Sequence, residues 1–195
     1  MTDFEPSGDD IFNTLPEEIR VTTVTDTNGP LTISYVDPEK VERLISTFMV
    51  GGINKIRYRE GETRKLDPDL ARKFAESARD ILGYTIEELD RLGLPLTTAS
   101  NWGSTTTGFV TPKSDVDVLL GVPTTADLQT AVHVLRNDQG FQNGLWRLHT
   151  PVRVPSVTFS LTVPSLYSRN PGEMDQWIPN ASSKVTLKHP HILAY

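Results

Sequence analysis

Apolar residues recur along the chain first at helical and then at strand spacing. Val41, Leu44, Ile45, Phe48 and Met49 fall at i, i+3, i+4, i+7 and i+8 behind Asp37-Pro38, a cap followed by a first-turn proline, and Gly51-Gly52 closes the segment. That spacing predicts a helix. Asp67-Pro68 repeats the start signal, and Leu70, Phe74, Ala78, Ile81 and Leu82 carry a second helix to Gly83. Thr85 with Glu88 three residues on reads as a capping box that opens a short third helix through Leu92.

The period changes at Leu96. Leu96 to Trp102 reads as a strand, Gly103 to Lys113 is rich in Gly, Thr and Pro, and Val116, Val118, Leu119 and Leu120 form a strand that holds Asp115 and Asp117. Thr124 and Asp127 cap a helix with the face Leu128, Ala131, Val132 and Leu135. Trp146 to Leu148 reads as a short strand, and Val157, Phe159, Leu161 and Val163 alternate with Thr158, Ser160 and Thr162 in another. The last 30 residues, interrupted by Pro164, Pro171, Pro179 and Pro190, read as ordered loop with short elements. The fold class expected is α+β: a mixed sheet flanked by helices after a helical N-terminal lead-in, with no internal repeat. The domain organisation expected is a leader over residues 1–20 and one domain over 21–195.

Composition narrows the class without changing this reading. The 195 residues are 37% hydrophobic, with Gly 13 and Pro 14, which is globular usage. No apolar run reaches the roughly 18 residues of a spanning helix. The absence of cysteine excludes disulfides, Cys-ligated zinc and thiol nucleophiles. With no basic and apolar leader segment at the N-terminus, a cytoplasmic protein without a membrane partner is the expectation. The net charge of -6 arises wholly in residues 1–19, where six acids face no Lys or Arg; from Arg20 onward 19 acids balance 19 bases. The acidity therefore belongs to a leader expected to be mobile, and it does not argue against an anionic ligand for the rest. Lys55, Arg57 and Arg59 alternate with Ile56 and Tyr58, so a strand here sets three cations on one face, which reads chiefly as a solvated face.

Candidate chemistry lies in the segment from Gly103 to Leu120. On a strand Asp115 and Asp117 point to the same face, about 7 Å apart between Cα atoms. Adjacent carboxylates repel unless a cation lies between them, and Mg²⁺ or Mn²⁺ favours carboxylate oxygens together with substrate phosphates. Upstream, Gly103-Ser104 follows an apolar strand, where a glycine lets backbone N–H groups and a small hydroxyl approach a phosphate closely. Gly103-x4-Gly108 has P-loop spacing, but Phe109-Val110 replace the Lys-Ser/Thr that such a loop needs. The four histidines, His133, His149, His189 and His191, show no metal-ligand spacing. Trp102 and Trp177 read as core or rim packing rather than base-stacking platforms, and Lys184 and Lys188 as solvated loop residues rather than phosphate contacts.

Gly103-Ser104, ten intervening residues, then Asp115-Val116-Asp117 amid apolar neighbours resembles the signature of the DNA polymerase β-like nucleotidyltransferase superfamily. Ser114-Asp115-x-Asp117 is most similar to the cyclic GMP-AMP synthase and bacterial DncV-like group. Val163-Pro164, Trp177-Ile178-Pro179 and Lys188-His189-Pro190 resemble the stretch after that group's third catalytic strand, so the likeness covers residues 67–190. The resemblance implies a metal-dependent transfer of a nucleoside monophosphate from a nucleoside triphosphate to a hydroxyl acceptor, with pyrophosphate leaving. The acceptor implied is a nucleotide or nucleic acid, and the product a signalling nucleotide. By similarity Asp115 and Asp117 are catalytic and hold the divalent ions, while Gly103, Ser104 and Ser114 bind the nucleotide.

The sequence also departs from that pattern. No Asp or Glu occurs between Asp138 and Glu173, and the strand expected to carry the third carboxylate offers Ser160, a substitution that cannot activate an attacking hydroxyl as a carboxylate would. Glu173 or Asp175 from the following segment is the alternative. Thr107-Gly108-Phe109 stands where the group has an arginine before its second glycine, and the sequence ends at Tyr195, short of the helical domain that closes over the base in those enzymes. A fragment, a minimal member and a catalytically degenerate relative that binds nucleotide or nucleic acid without turnover all fit these departures.

Overall fold

Asp37 caps the first helix as its spacing predicts. Its Oδ1 accepts the N–H groups of Glu39 and Lys40 at 3.1 and 3.3 Å, and α1 runs Pro38–Val50 with Val41, Leu44 and Ile45 buried. The computed structural model describes residues 6–8, 21–25, 31–59, 61–166 and 181–191. Ahead of α1 lie β1 (Val21–Thr25) and β2 (Thr32–Val36), and after it a ribbon of β3 (Lys55–Arg59) and β4 (Glu62–Lys65). Of the acidic leader only residues 6–8 are described. These are not free of the domain: Arg57 donates its N–H to the Pro6 carbonyl at 3.1 Å, and Ser7 bridges to Arg57 in parallel. The rest of that leader lies outside the described residues.

The second and third helices expected from the sequence are one. Asp67 caps α2, which continues unbroken over Pro68–Arg91. Gly83 lies in its interior, and Thr85 does not cap a new helix: its buried hydroxyl donates to the Ile81 carbonyl at 2.7 Å. A glycine in a helix interior costs only about 1 kcal/mol, less than the apolar surface that Leu82 and Leu89 bury by staying on one stripe. Then follow β5 (Thr98–Trp102), the single turn α3 (Ser104–Thr107), β6 (Val116–Gly121), α4 (Thr125–Asn137), α5 (Gln139–Arg147) and β7 (Ser156–Thr162). Trp146 and Arg147 close α5 instead of forming a strand. Asp138 accepts the Phe141 N–H at 2.8 Å and so starts a helix that buries Phe141 and Leu145, one turn apart. Beyond a 3₁₀ turn at Pro164–Leu166, the segment expected to be loop contains β8 (Ser182–Lys188), paired with β7 along its whole length.

The architecture is α+β. Six strands form one mixed sheet in the order β1-β2-β5-β6-β7-β8, with β2/β5 and β6/β7 parallel and the other neighbours antiparallel. One face carries Ala99, Val116, Val118, Leu120, Val157, Phe159, Leu161 and Val185, and these pack with Ala78, Ile81 and Leu82 of α2, Leu128 and Leu135 of α4, and Phe141 of α5. A second core joins Val41 and Ile45 of α1, Ile56 of β3, Leu66, Phe74 of α2 and the pair Phe109-Val110. The opposite sheet face is polar. Register places on it Ser34, Ser100, Trp102, Asp117, Leu119, Thr158, Ser160, Thr162, Lys184 and Thr186. Among the described residues no helix is long and apolar enough to cross a membrane.

Candidate functional site

The Gly103–Asp117 segment crosses from the end of β5 to the start of β6, and antiparallel pairing sets Trp102 opposite Asp117. Gly103 has φ 74° and ψ -150°, a backbone region that is essentially glycine's alone. The space is as restrictive as the backbone. A Cβ on Gly103 would overlap Asp117 Oδ2 and lie 3.1 Å from Asp117 Cγ. The turn glycine and the second aspartate, fourteen positions apart, are therefore in direct contact, and neither could be so placed with a larger residue at 103.

The three threonines that follow shape the turn. Thr105, Thr106 and Thr107 each donate a hydroxyl to the carbonyl three residues back, on Trp102, Gly103 and Ser104, at 3.0, 2.8 and 2.8 Å. Gly108, with φ 75° and ψ 0°, ends this turn in the left-handed region, and a Cβ there would meet Val41 Cγ1 at 2.8 Å and Ile45 Cγ1 at 3.0 Å. Gly108 thus seats the loop against α1. Arg64 holds the next residue: its guanidinium donates to the Phe109 carbonyl, pairs with Glu62 at 2.9 Å and lies 3.5 Å over the Tyr58 ring. Ser104 is buried within the turn. Ser114 is buried too, and its Oγ accepts the Thr111 N–H at 2.9 Å while its own N–H donates to the Thr111 carbonyl at 2.9 Å. That hydroxyl closes the turn that delivers Asp115 to β6, so its observed work is positional.

Thr158 completes the cluster. The parallel register of β6 and β7 sets Thr158 beside Asp117 and Ser160 beside Leu119. The Thr158 hydroxyl lies 3.5 Å from Asp115 Oδ2 and 3.1 Å from the Thr186 hydroxyl, in a buried position. The residue next to the aspartate pair is therefore Thr158, and Ser160, expected there from the sequence, stands one pleat further along the strand. Alternation restricts the choice to Thr158, Ser160 or Thr162, and only register selects among them. Glu173, Asp175 and Trp177 lie outside the described residues.

The donor set has a definite character. Asp115, Asp117 and the Thr158 hydroxyl offer only oxygen, which suits Mg²⁺ or Mn²⁺ completed by phosphate and water oxygens. Among the described residues no group of three or more His, Cys, Asp or Glu side chains is placed to hold a metal by itself. Trp102 is not a core residue: it is 58% exposed, on the same sheet face as Asp117. The cationic strand is observed as β3, with Ile56 buried and Lys55 and Arg57 exposed, but it belongs to the two-stranded ribbon rather than to the sheet that carries the aspartates. No family model, no curated protein and no solved structure matches the chain.

Proposed function

We propose that Gly103, Ser104, Asp115 and Asp117 bind a nucleoside triphosphate with a divalent cation, and that the protein transfers the nucleoside monophosphate to a hydroxyl acceptor. The observation that supports this most is the contact between the Gly103 turn and Asp117, which brings a glycine turn against one of the two neighbouring carboxylates. The oxygen of the acceptor hydroxyl bonds to the α-phosphorus, the bond from that phosphorus to the bridging oxygen breaks, pyrophosphate departs, and the hydroxyl proton passes to solvent. A divalent ion supplies charge neutralisation at the attacking and leaving oxygens. Asp115 and Asp117 would hold that ion, Gly103 leaves room for the Asp117 carboxylate against the turn whose backbone would meet the phosphates, and Ser114 with Thr111 fixes the approach of Asp115 to the strand.

A second reading, nucleotide binding without turnover, is favoured by Thr158. Its hydroxyl has the place beside Asp115 at which a further carboxylate would activate the acceptor, and it is a far weaker base. One experiment separates the two. Pyrophosphate release from the four ribonucleoside triphosphates is measured with Mg²⁺ and with Mn²⁺ for the wild-type chain, for the Asp115→Ala/Asp117→Ala double variant and for Thr158→Asp. Transfer predicts wild-type release that the double variant abolishes. Binding without turnover predicts Mg²⁺-dependent nucleotide binding, no wild-type release, and release gained in Thr158→Asp. Absence of metal-dependent nucleotide binding in the wild type overturns both.

A further inference from the structure

Trp102 is an exposed aromatic residue on the polar sheet face that the proposed chemistry leaves unused. Among the described residues the large apolar side chains that are exposed are Val50, Leu166 and Trp102. Val50 ends a helix and Leu166 ends a 3₁₀ turn, both positions at which packing runs out. Trp102 ends a strand in the middle of the sheet, yet the residue is 58% exposed while the one before it, Asn101, is 5% exposed and buried on the helix side. Alternation explains the contrast, because Asn101 pairs with Val118 and Trp102 pairs with Asp117. Directly opposed residues of an antiparallel pair stand about 4.5–5.5 Å apart and share a face, so the indole rises from the sheet beside the carboxylate that touches Gly103.

We infer that Trp102 is a stacking platform for the base of the nucleotide whose phosphates lie at Gly103 and Ser104. This rests on the reading of the site given above and names the part of the ligand that the phosphate and metal groups do not hold. The geometry favours a planar aromatic ligand over an aliphatic one. An exposed indole at the rim of a polar, oxygen-lined face offers a flat π surface and no enclosing apolar wall, and stacking on such a surface needs no enclosure. The chain also turns away from the strand immediately after the ring, at Gly103, whose backbone region only glycine adopts readily. The base-binding and phosphate-binding groups are thus consecutive residues, fixed relative to one another by the same turn. Because every base has a π face, a platform of this kind discriminates weakly between bases, with purines favoured by their larger area.

Isothermal titration of the full chain with ATP and with inorganic tripolyphosphate, each in Mg²⁺, tests the inference. The wild type is expected to bind ATP about tenfold more tightly than tripolyphosphate, the scale of a single base–aromatic stack. Trp102→Ala is expected to bind both equally, by losing ATP affinity while tripolyphosphate affinity is unchanged, and Trp102→Phe to keep most of the preference. Unchanged tripolyphosphate affinity shows that the variant is folded. Retention of the full ATP preference in Trp102→Ala overturns the stacking role and leaves the phosphate site standing. ATP binding that depends on Trp102 without any tripolyphosphate binding overturns the phosphate site instead, and binding of neither ligand by the wild type overturns both.

Discussion

The two faces of the six-stranded sheet follow opposite rules although they alternate residue by residue along the same strands. On the helix side, Val118, Leu120, Phe159 and Leu161 are fully buried beneath α2, α4 and α5, and shape decides which residues fit. On the other side Ser34, Ser100, Ser160 and Thr162 are half-buried, and Asp115, Asp117 and Trp102 are gathered at one end of β5 and β6. The apolar face accounts for stability through the area it removes from water, whereas the polar face holds half-buried hydroxyls and carboxylates. Asn101, a polar side chain of the sheet buried on the helix side, shows the difference. Asn101 donates from Nδ2 to the Ala78 carbonyl at 2.9 Å and accepts the Val36 N–H at 3.4 Å, so its amide ties β5 to α2 and β2 and is satisfied within the protein.

The largest effect that sharpens this comparison should come from adjacent positions of β7. Phe159→Ala is expected to cost about 3–5 kcal/mol, because a fully buried ring leaves a cavity among Phe141 and its neighbours, while Ser160→Ala should change stability by no more than about 0.5 kcal/mol. Urea unfolding of the two variants measures both, and equal losses would break the distinction between the faces. Next in size is Gly103→Ala. Its Cβ must displace the Asp117 carboxylate, and its backbone must hold a strained region, so a loss of about 1–3 kcal/mol in stability is expected, together with about a tenfold fall in Mg²⁺-dependent nucleotide affinity. Stability that matches the wild type in urea, with nucleotide affinity intact, would contradict the contact.

The smallest effect concerns pH. Burial holds the His189 imidazole below its ordinary value, and the Arg153 and His191 charges act in the same direction; the ring packs 4.9 Å from Trp146, and its Nδ1 accepts the His191 N–H at 3.2 Å. The unfolded chain therefore takes up a proton at about pH 6.5 that the folded chain refuses until lower pH. The contribution of His189 is fully present above about pH 6.5, declines as pH falls through that value, and levels off below the folded value. Urea midpoints at about pH 8 and about pH 5 should draw apart less in His189→Gln than in the wild type. An identical difference in both would remove His189 as the cause.

Much of the frame was legible in the sequence because it depends on neighbours. Asp37-Pro38, Asp67-Pro68 and Thr124 with Asp127 start helices where their spacing places them, since a cap is satisfied by N–H groups two or three residues away. The errors arise where distant packing outweighs a local signal. Thr85 with Glu88 satisfies the capping pattern, yet the apolar stripe of α2 runs on through it. Trp146 and Leu148 show a strand's alternation, but Phe141 and Leu145 tie that stretch to a helix. In β8, Val185 and Leu187 are its only apolar residues, and long-range pairing with β7 supplies the reason for the strand. For the candidate site, Gly103, Ser104, Ser114, Asp115 and Asp117 were legible as a motif in the sequence, whereas the place of Thr158 beside Asp115 and the exposure of Trp102 depended on register and packing.

The sequence by itself determined the caps, the main helix starts, the glycine turn and the alternation that separates polar from apolar faces, because each is settled within a few residues of chain. Only the tertiary structure decided that Gly103 touches Asp117, that Thr158 rather than Ser160 adjoins Asp115, and that Trp102 stands in water beside them. Those relations join segments from 14 to 43 positions apart. Strand register fixes them, and register follows from how the whole helix-covered face packs.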